Sequence, residues 1–205
     1  MRIIDLNTWN RKQHFEHFSA LADSYFAVTI PFNVNKAYHF SKENNISFFA
    51  KYLHDCMCAI NEVENLKYRI ENKKIVAYDV IHASATLMRD DNTFGFSFIE
   101  FNEDLKSFIE NIKIEKERIN TTNDLYPPTN GLNCIHCSAM PWVNFSGHKE
   151  PVSGLQDSVP KIAFGKATYM NNELIMNVSV NVNHALADGY HVGLFSEKFQ
   201  QYLNL

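Results

Sequence analysis

The stretch LIMNVSVNVNHALADG, residues 174–189, decides the fold, because it alternates like a strand and then stops at a turn. Asparagine or serine fills every second position between 177 and 183. The positions between them are apolar, which predicts a strand with one buried face. His184 continues the apolar parity and precedes a turn at Asp188-Gly189. The apolar set is Leu174, Met176, Val178, Val180 and Val182.

His184 is therefore expected at the end of a half-buried strand. An imidazole in a partly desolvated position suits general-base chemistry near neutral pH, because modest changes in its surroundings tune its pKa. A core histidine beside an ordinary Asp-Gly turn fits the same spacing. The spacing alone leaves both interpretations open.

Outward from this strand, helical periodicity predicts helices over 9–22, 47–61, 103–119 and 190–203, with Asn102 as the N-cap of the third. Alternation predicts one hairpin within 66–80 that turns at 72–74, and another within 83–101 that turns at 90–92. Further strands are expected over 132–138 and 161–170, the latter turning at 171–172 into 173–183, with long loops at 121–131 and 145–160. Helices and strands interleave without a regular β-α-β order. This favours an α/β two-layer sandwich, a mixed β-sheet covered by helices, in one domain over 1–205.

Composition narrows the classes of protein. The 205 residues are 45% hydrophobic and 20% charged, as in an ordinary globular domain. The formal net charge is −4 and no basic stripe is present, so nucleic acid is not an expected partner. No apolar run approaches the roughly 18 residues of a membrane span, and the first residues do not resemble a secretory leader. We expect a cytoplasmic protein with no membrane partner.

The four cysteines form two close pairs in the sequence, Cys56/Cys58 and Cys134/Cys137. Residues three apart on a strand point to opposite faces, which argues against zinc at Cys134, His136 and Cys137. Two residues apart on a helix also diverge, by about 200°. We expect small buried side chains and no metal site.

Four stretches together carry a family resemblance. Residues 184–191, HALADGYH, resemble the His-x-x-x-Asp-Gly motif of the chloramphenicol acetyltransferase family, which dihydrolipoamide acyltransferases share more distantly. Residues 9–15, WNRKQHF, are similar to its N-terminal motif, and residues 138–145, SAMPWVNF, to its central motif. The C-terminal helix follows at the family's distance. The chain is identified as a member of this family over essentially its whole length.

The resemblance implies a role for each matching residue. His184 matches the base that takes the proton of the acceptor hydroxyl as it attacks the thioester of acetyl-CoA. Ser138 matches the serine that stabilises the tetrahedral oxyanion. Asp188 and Arg11 match a structural ion pair that holds the turn. Tyr25, Phe94 and His136 match positions of the acceptor pocket, and Lys166 matches a lysine near the phosphates of CoA.

The chain departs from the family pattern at several positions. The first histidine of the usual His-His pair is Asn183, an expected threonine is Ala163, and the asparagine two residues before the oxyanion serine is His136. The 145–160 loop is also more polar than in familiar members. These departures argue against a hydrophobic pocket for a nitrophenyl ring more than against the acyl-transfer chemistry.

The resemblance implies direct acetyl transfer to a hydroxyl of chloramphenicol in a homotrimer, with active sites at subunit interfaces and no metal. The facing subunit would supply the histidine. Two alternatives stay open. The acceptor could be a different hydroxylated small molecule, or the chain could be a catalytically idle homologue that binds a ligand.

Overall fold

The computed structural model describes residues 1–151 and 157–205. Within them, the helices are α1 (Lys12–Ser19), α2 (Asn35–Glu43), α3 (Phe48–Glu62), α4 (Leu105–Thr121) and α5 (Gly189–Leu203). The strands there are β1 (Arg2–Ile3), β2 (Tyr25–Asn33), β3 (Tyr68–Glu71), β4 (Lys74–Ala77), β5 (His82–Met88), β6 (Phe94–Phe96), β7 (Cys134–Ala139), β8 (Lys161–Phe164), β9 (Thr168–Met170) and β10 (Glu173–Asn183).

A seven-stranded mixed sheet forms the centre of the fold. Its strand order is β2-β10-β8-β7-β5-β6, and β9 pairs with β10 outside that path. β7 runs parallel to both β5 and β8, and the other pairs are antiparallel. A smaller sheet has the order β1-β4-β3. The expected mixed α/β fold is confirmed.

β10 separates the two faces of the large sheet. Its apolar residues between Leu174 and Val182 are buried and join a core with β7 and β8, formed under α3, α4 and α5. The opposite face carries the polar set, in which Ser179 and Asn181 are buried as well. Ser179 donates to the carbonyl of His148, and Asn181 accepts from the amide of Glu150. The first part of the 145–160 loop therefore covers part of this second face.

The hairpin turns form where the asparagines lie. Asn72 and Lys73 have positive φ angles of 49° and 64°, and Asn171 and Asn172 have 50° and 66°. This left-handed pair matches the twist of two-residue hairpins, and asparagine tolerates it better than most residues. The turns predicted at 72–74 and 171–172 are confirmed.

Several predicted boundaries were wrong. The first helix covers Lys12–Ser19 rather than 9–22, since Thr8 and Trp9 hydrogen-bond Asp5 in a turn before it. Asp104 caps α4 in place of Asn102, whose Oδ1 accepts from the Asp104 amide instead. Residues 161–170 form two short strands rather than one, and between them the Lys166 amide donates to the carbonyl of Val143, outside the strands. β2 and α2 were not predicted.

Candidate active site

The turn after β10 is held by side chains of the motif itself. Asn183 accepts from the Ala185 amide at 2.9 Å and donates to the carbonyl of Asp157 at 2.9 Å. Asp188 is the N-cap of α5, where its carboxylate accepts from the Tyr190 amide at 3.1 Å. Such a cap satisfies one of the free amides at a helix start. His184 therefore sits between a strand end and a helix start that are both fixed.

Arg11 ties this turn to the N-terminal segment. Its Nη1 lies 2.5 Å from Asp188 Oδ2, and His191 Nδ1 lies 2.8 Å from Oδ1 of the same carboxylate. Burial alone would raise the pKa of Asp188, but the Arg11 hydrogen bond and the charges of His191 and Arg11 outweigh it and lower the pKa to about 2. The carboxylate is therefore ionised at neutral pH and bonded from both sides.

His184 is packed between two phenylalanine rings. Its ring is parallel to that of Phe18 at 3.8 Å between centroids, and Phe26 lies 4.6 Å away. Its backbone amide donates to Ser24 at 2.8 Å. Nδ1 is buried and has no hydrogen-bond partner among the described residues, so Nε2 is the ring nitrogen available to a substrate. The aromatic contacts fix the ring plane.

Ser138 lies in a cavity of about 430 Å³ on the polar face of the large sheet, the face of Ser179. It belongs to β7, and its face is shared by His136 on the same strand and by Ser84 and Thr86 on β5. The aromatic wall of this cavity is formed by Phe96 and Tyr126, whose ring centroids are 5.4 Å apart. We call this space the serine cavity.

Charged side chains close the floor of the serine cavity. Lys161 pairs with Asp157, and their side chains are only 6% and 13% exposed. The Tyr25 hydroxyl lies 3.1 Å from Asp157 Oδ1 and 2.8 Å from the Val159 carbonyl, and these two acceptors share its single hydrogen. Burial would raise the pKa of Asp157, but Lys161 outweighs it and lowers it. Burial and the Asp157 charge together raise the pKa of Tyr25 well above its ordinary value.

His136 points into the same cavity and stays neutral. Its side chain is exposed by surface area and opens into the cavity, whose walls still desolvate its ring. Burial and the nearby Lys161 lower its pKa to about 4. At neutral pH this imidazole therefore offers one donor and one acceptor, and no charge.

A second cavity of about 610 Å³ adjoins the first. Lys166 lies on it, and Thr86 lines both cavities. Ala139, the residue after Ser138, also lines this second space. We call it the aromatic cavity, because its walls include Tyr38, Phe48, Phe49, Tyr52, Trp142 and Tyr169.

Ser138 and His184 of one chain are far apart. Ser138 pairs in register with Ala163, which pairs with Ser179 on β10. His184 lies five positions further along. Two strand spacings and five residues place the two Cα atoms on the order of 19 Å apart. The side chains also belong to opposite faces, since His184 contacts Phe26, the register partner of Val182 on the core face.

The remaining predicted site residues lie at the edge of this arrangement. Phe94 is 42% exposed and contacts Phe96, which lines the serine cavity in its place. Tyr25 reaches the cavity floor through Asp157 rather than lining it among the described residues. The sequence analysis did not single out Phe18, Glu150, Asp157 or Lys161. Lys161 lies two residues before Ala163, so the two side chains share one face of the strand, and this parity was a signal for Lys161. Phe18 and Asp157 have no comparable sequence pattern.

Within residues 1–151 and 157–205, no cluster of three or more histidine, cysteine or acidic side chains has a metal-binding arrangement. The same residues include no helix that combines the length and apolarity needed to cross a bilayer. Of the cysteines, Cys58 is partly exposed and the other three are buried.

Comparisons with known proteins agree with the motifs. Residues 1–200 match the family model described as chloramphenicol acetyltransferase. Chloramphenicol acetyltransferase 3 of Escherichia coli is 26% identical over 206 residues, covering 98% of this chain and 95% of the relative. A chloramphenicol acetyltransferase of Clostridium perfringens is 25% identical over 205 residues, covering 98% and 97%.

A solved structure extends the likeness to the fold. A structure named chloramphenicol acetyltransferase matches with a TM-score of 0.90 at 24% identity, and covers 98% of this chain and 99% of its own. At that identity the match shows a shared fold. Because the family model spans nearly all of the sequence, the chain belongs to the chloramphenicol acetyltransferase family and is an acyltransferase.

Proposed function

We propose that the chain transfers the acetyl group of acetyl-CoA to a hydroxyl of a small acceptor, chloramphenicol being the first candidate. The meeting of two cavities beside Ser138 carries this proposal. One cavity is aromatic and bordered by Lys166, the other is polar at its floor, and Thr86 lines both. Two substrates entering from the two sides would meet at the serine. The relatives' names support the acceptor.

Acetyl-CoA fits the aromatic cavity by its chemistry. The coenzyme combines a flat adenine ring, phosphates and an extended thioester arm. Tyr169 and Trp142 are 68% exposed at the cavity and offer ring faces for stacking. Lys166 offers a cation for a phosphate, as the resemblance implies. Ala139 and Thr86 mark the inner end, where the thioester would lie next to Ser138.

The proposed reaction is a direct transfer with no acyl-enzyme. His184 Nε2 takes the proton of the acceptor hydroxyl as that oxygen attacks the thioester carbonyl. Ser138 donates a hydrogen bond to the oxyanion that develops, and one such donor is worth roughly 10²–10³ in rate. Collapse of the tetrahedral intermediate breaks the carbon–sulfur bond. The proton then passes from the imidazolium to the leaving thiolate, so that the base is regenerated.

The separation within one chain supports a shared site between subunits. A base some 19 Å from the oxyanion donor, on the other face of the sheet, cannot act on the same atom. In a homotrimer the partner subunit's His184 would face the serine cavity. β2 is an edge strand of the large sheet with exposed Ala27 and Val28, which offers an unpaired backbone for such an assembly.

Arg11 and Asp188 would act as positioning residues in this mechanism. Their ion pair fixes the start of α5 and with it the turn that presents His184. Neither side chain touches the reacting atoms in the proposed arrangement. We place the enzyme in the cytoplasm, where acetyl-CoA is available, and assign it no metal.

The test is thiol release from acetyl-CoA in the presence of chloramphenicol. We expect turnover that falls by about 10²–10⁴ in His184→Ala, since a general base contributes that much. His39→Ala is the matched control, because His39 is exposed on α2 and lines neither cavity. Near-normal turnover in His184→Ala would show that the mechanism is wrong.

A different hydroxylated acceptor is the second candidate, and a specific observation favours it. The floor of the serine cavity carries the Lys161–Asp157 pair and His136 rather than apolar side chains. If chloramphenicol is not acetylated while acetyl-CoA binds, the search moves to acceptors with more polar groups.

A further inference from the structure

We propose that the acceptor carries a protonated amine in addition to its hydroxyl, and that Glu150 binds this amine in the serine cavity. The inference rests on the proposed function, because it names the substrate class of the same site. It follows from the charges that face the cavity, from their partners and from the shape of the walls.

Among the described residues, Lys161 is the only lysine that lines the serine cavity, and an acidic partner already neutralises its charge. Lys161 pairs with Asp157, whose carboxylate also accepts from the Tyr25 hydroxyl and the Val159 amide. Lys161 further lies over the Tyr25 ring, with Nζ 4.8 Å from its centroid. A buried ion pair with this many contacts is a structural unit rather than a free charge. Neither partner is therefore available for a charged acceptor.

Glu150 is the second carboxylate of the cavity, and its environment differs. Its side chain is 19% exposed, so it is mostly desolvated while it still faces the cavity. Within the described part of the chain, its nearest basic atom is His148 Nε2 at 3.7 Å, beyond hydrogen-bond distance. A mostly desolvated carboxylate whose one basic neighbour among the described residues lies beyond hydrogen-bond distance favours a cationic ligand.

His136 does not balance this charge. Its imidazole is neutral at pH 7, because burial and Lys161 lower its pKa to about 4. With Lys161 and Asp157 cancelling, the formal charge of the groups lining the cavity is therefore negative at Glu150. A second carboxylate brought in by an acceptor would be repelled, and an ammonium group would be attracted.

The walls of the serine cavity indicate the other chemical features of the acceptor. Phe96 and Tyr126 form an aromatic surface on one side of the cavity, and Ser138 lies on another. An amino alcohol with an apolar or aromatic body satisfies all three features. Its hydroxyl would lie at Ser138, its ring on the aromatic wall and its ammonium at Glu150.

Two acceptors that differ at the nitrogen test the charge, when each is compared between the parent protein and Glu150→Gln. Chloramphenicol is a neutral amide, and removing its dichloroacetyl group gives an amino diol with the same nitrophenyl ring and both hydroxyls. We would titrate each compound into the CoA-loaded protein by calorimetry at pH 7, then measure thiol release. We expect the amino diol to bind about tenfold more tightly, as a charged hydrogen bond allows.

Glu150→Gln keeps the shape of the side chain and removes its charge. This variant should lose the preference for the amino diol and bind chloramphenicol within about twofold of the parent. Glu117→Gln, an exposed position on α4, should leave both affinities unchanged. Equal or weaker binding of the amino diol by the parent protein would overturn the inference, as would equal losses for both compounds in Glu150→Gln.

Binding and turnover separate this inference from the proposed function. Preferential binding of the amino diol with no thiol release would retain the assignment of Glu150 and reject acetyl transfer. Acetylation of chloramphenicol without any preference for the amine would do the reverse. NMR spectroscopy of the product would show whether oxygen or nitrogen is acetylated, since the two isomers have the same mass.

Discussion

Asp188 belongs to the sequence motif, and its one side chain both caps a helix and forms an ion pair. Its carboxylate caps α5 and bonds Arg11, and these contacts hold its pKa near 2 against an ordinary value of 3.8. A depressed pKa means that the ionised form stabilises the folded state. That stabilisation is complete above about pH 4 and is lost as the pH falls towards 2. Acid unfolding should therefore report on this pair.

Asp188→Asn should lower the melting temperature at pH 7, because Arg11 loses its charged partner while its Nε and Nη2 atoms remain buried. The variant should also lose the part of the acid transition between pH 4 and 2 that Asp188 contributes. Thermal melts at several pH values measure both effects. Asp90→Asn, at an exposed turn, is the control. An unchanged acid transition would show that Asp188 contributes nothing there.

The family motifs pointed to Asp188, Arg11 and Ser138 as site candidates, because each lies in one of the stretches that resemble the family. They could not predict that Phe18 stacks on His184 or that Lys161 lines the serine cavity. Those contacts depend on which strands are neighbours and in what register. A single sequence does not specify either property.

At the scale of elements, α3 contains a buried ion pair that its helical pattern did not suggest. Lys51 lies 2.7 Å from Asp55 one turn later, and both side chains are almost fully buried. Lys51 also donates to the carbonyl of Tyr202 in α5 at 3.4 Å. The pair therefore links the two helices that cover the core, and its two charges depend on each other.

Lys51→Met should destabilise the fold by up to about 3–5 kcal/mol, because it removes the nearer cationic partner of the buried Asp55 and leaves only His54 Nδ1 at 3.9 Å among the residues described. The double variant Lys51→Met/Asp55→Leu should recover most of that loss, since the removed pair costs desolvation as well as contributing attraction. Chemical unfolding of the two variants beside the parent measures the free energies. If the double variant is less stable than Lys51→Met, the pair contributes more than the cost of burying it.

Strands and turns with a strong local sequence pattern were predicted correctly, and a strand with a weak pattern was missed. β10 and the asparagine turns followed from alternation and from backbone preference. β2 was missed because it alternates poorly; Pro31 lies within it and its burial pattern is mixed. An edge strand can hold a proline, since one side of its backbone is unpaired. Its identity as a strand comes from its antiparallel pairing with β10.

At the scale of the whole molecule, the order of strands keeps Ser138 and His184 of one chain apart. β8 and β10 follow β7 in the sheet, and His184 lies beyond the end of β10 on the other face. The overall fold could be predicted from the family resemblance. The distance could not, because it is a sum of register offsets that are only visible once the sheet is assembled.

Mixed oligomers of two inactive variants test whether the site is shared. Each site of a trimer would need Ser138 from one subunit and His184 from its neighbour. In any trimer that contains both Ser138→Ala and His184→Ala subunits, one of the three sites combines an intact Ser138 with an intact His184, so about one third of the sites in the purified hybrids should be active. Co-expression with two different tags, followed by tandem purification and thiol-release assays, measures the recovery. Each variant purified alone is the baseline. If both residues acted within one chain, every hybrid site would lack one of them, and no activity would return.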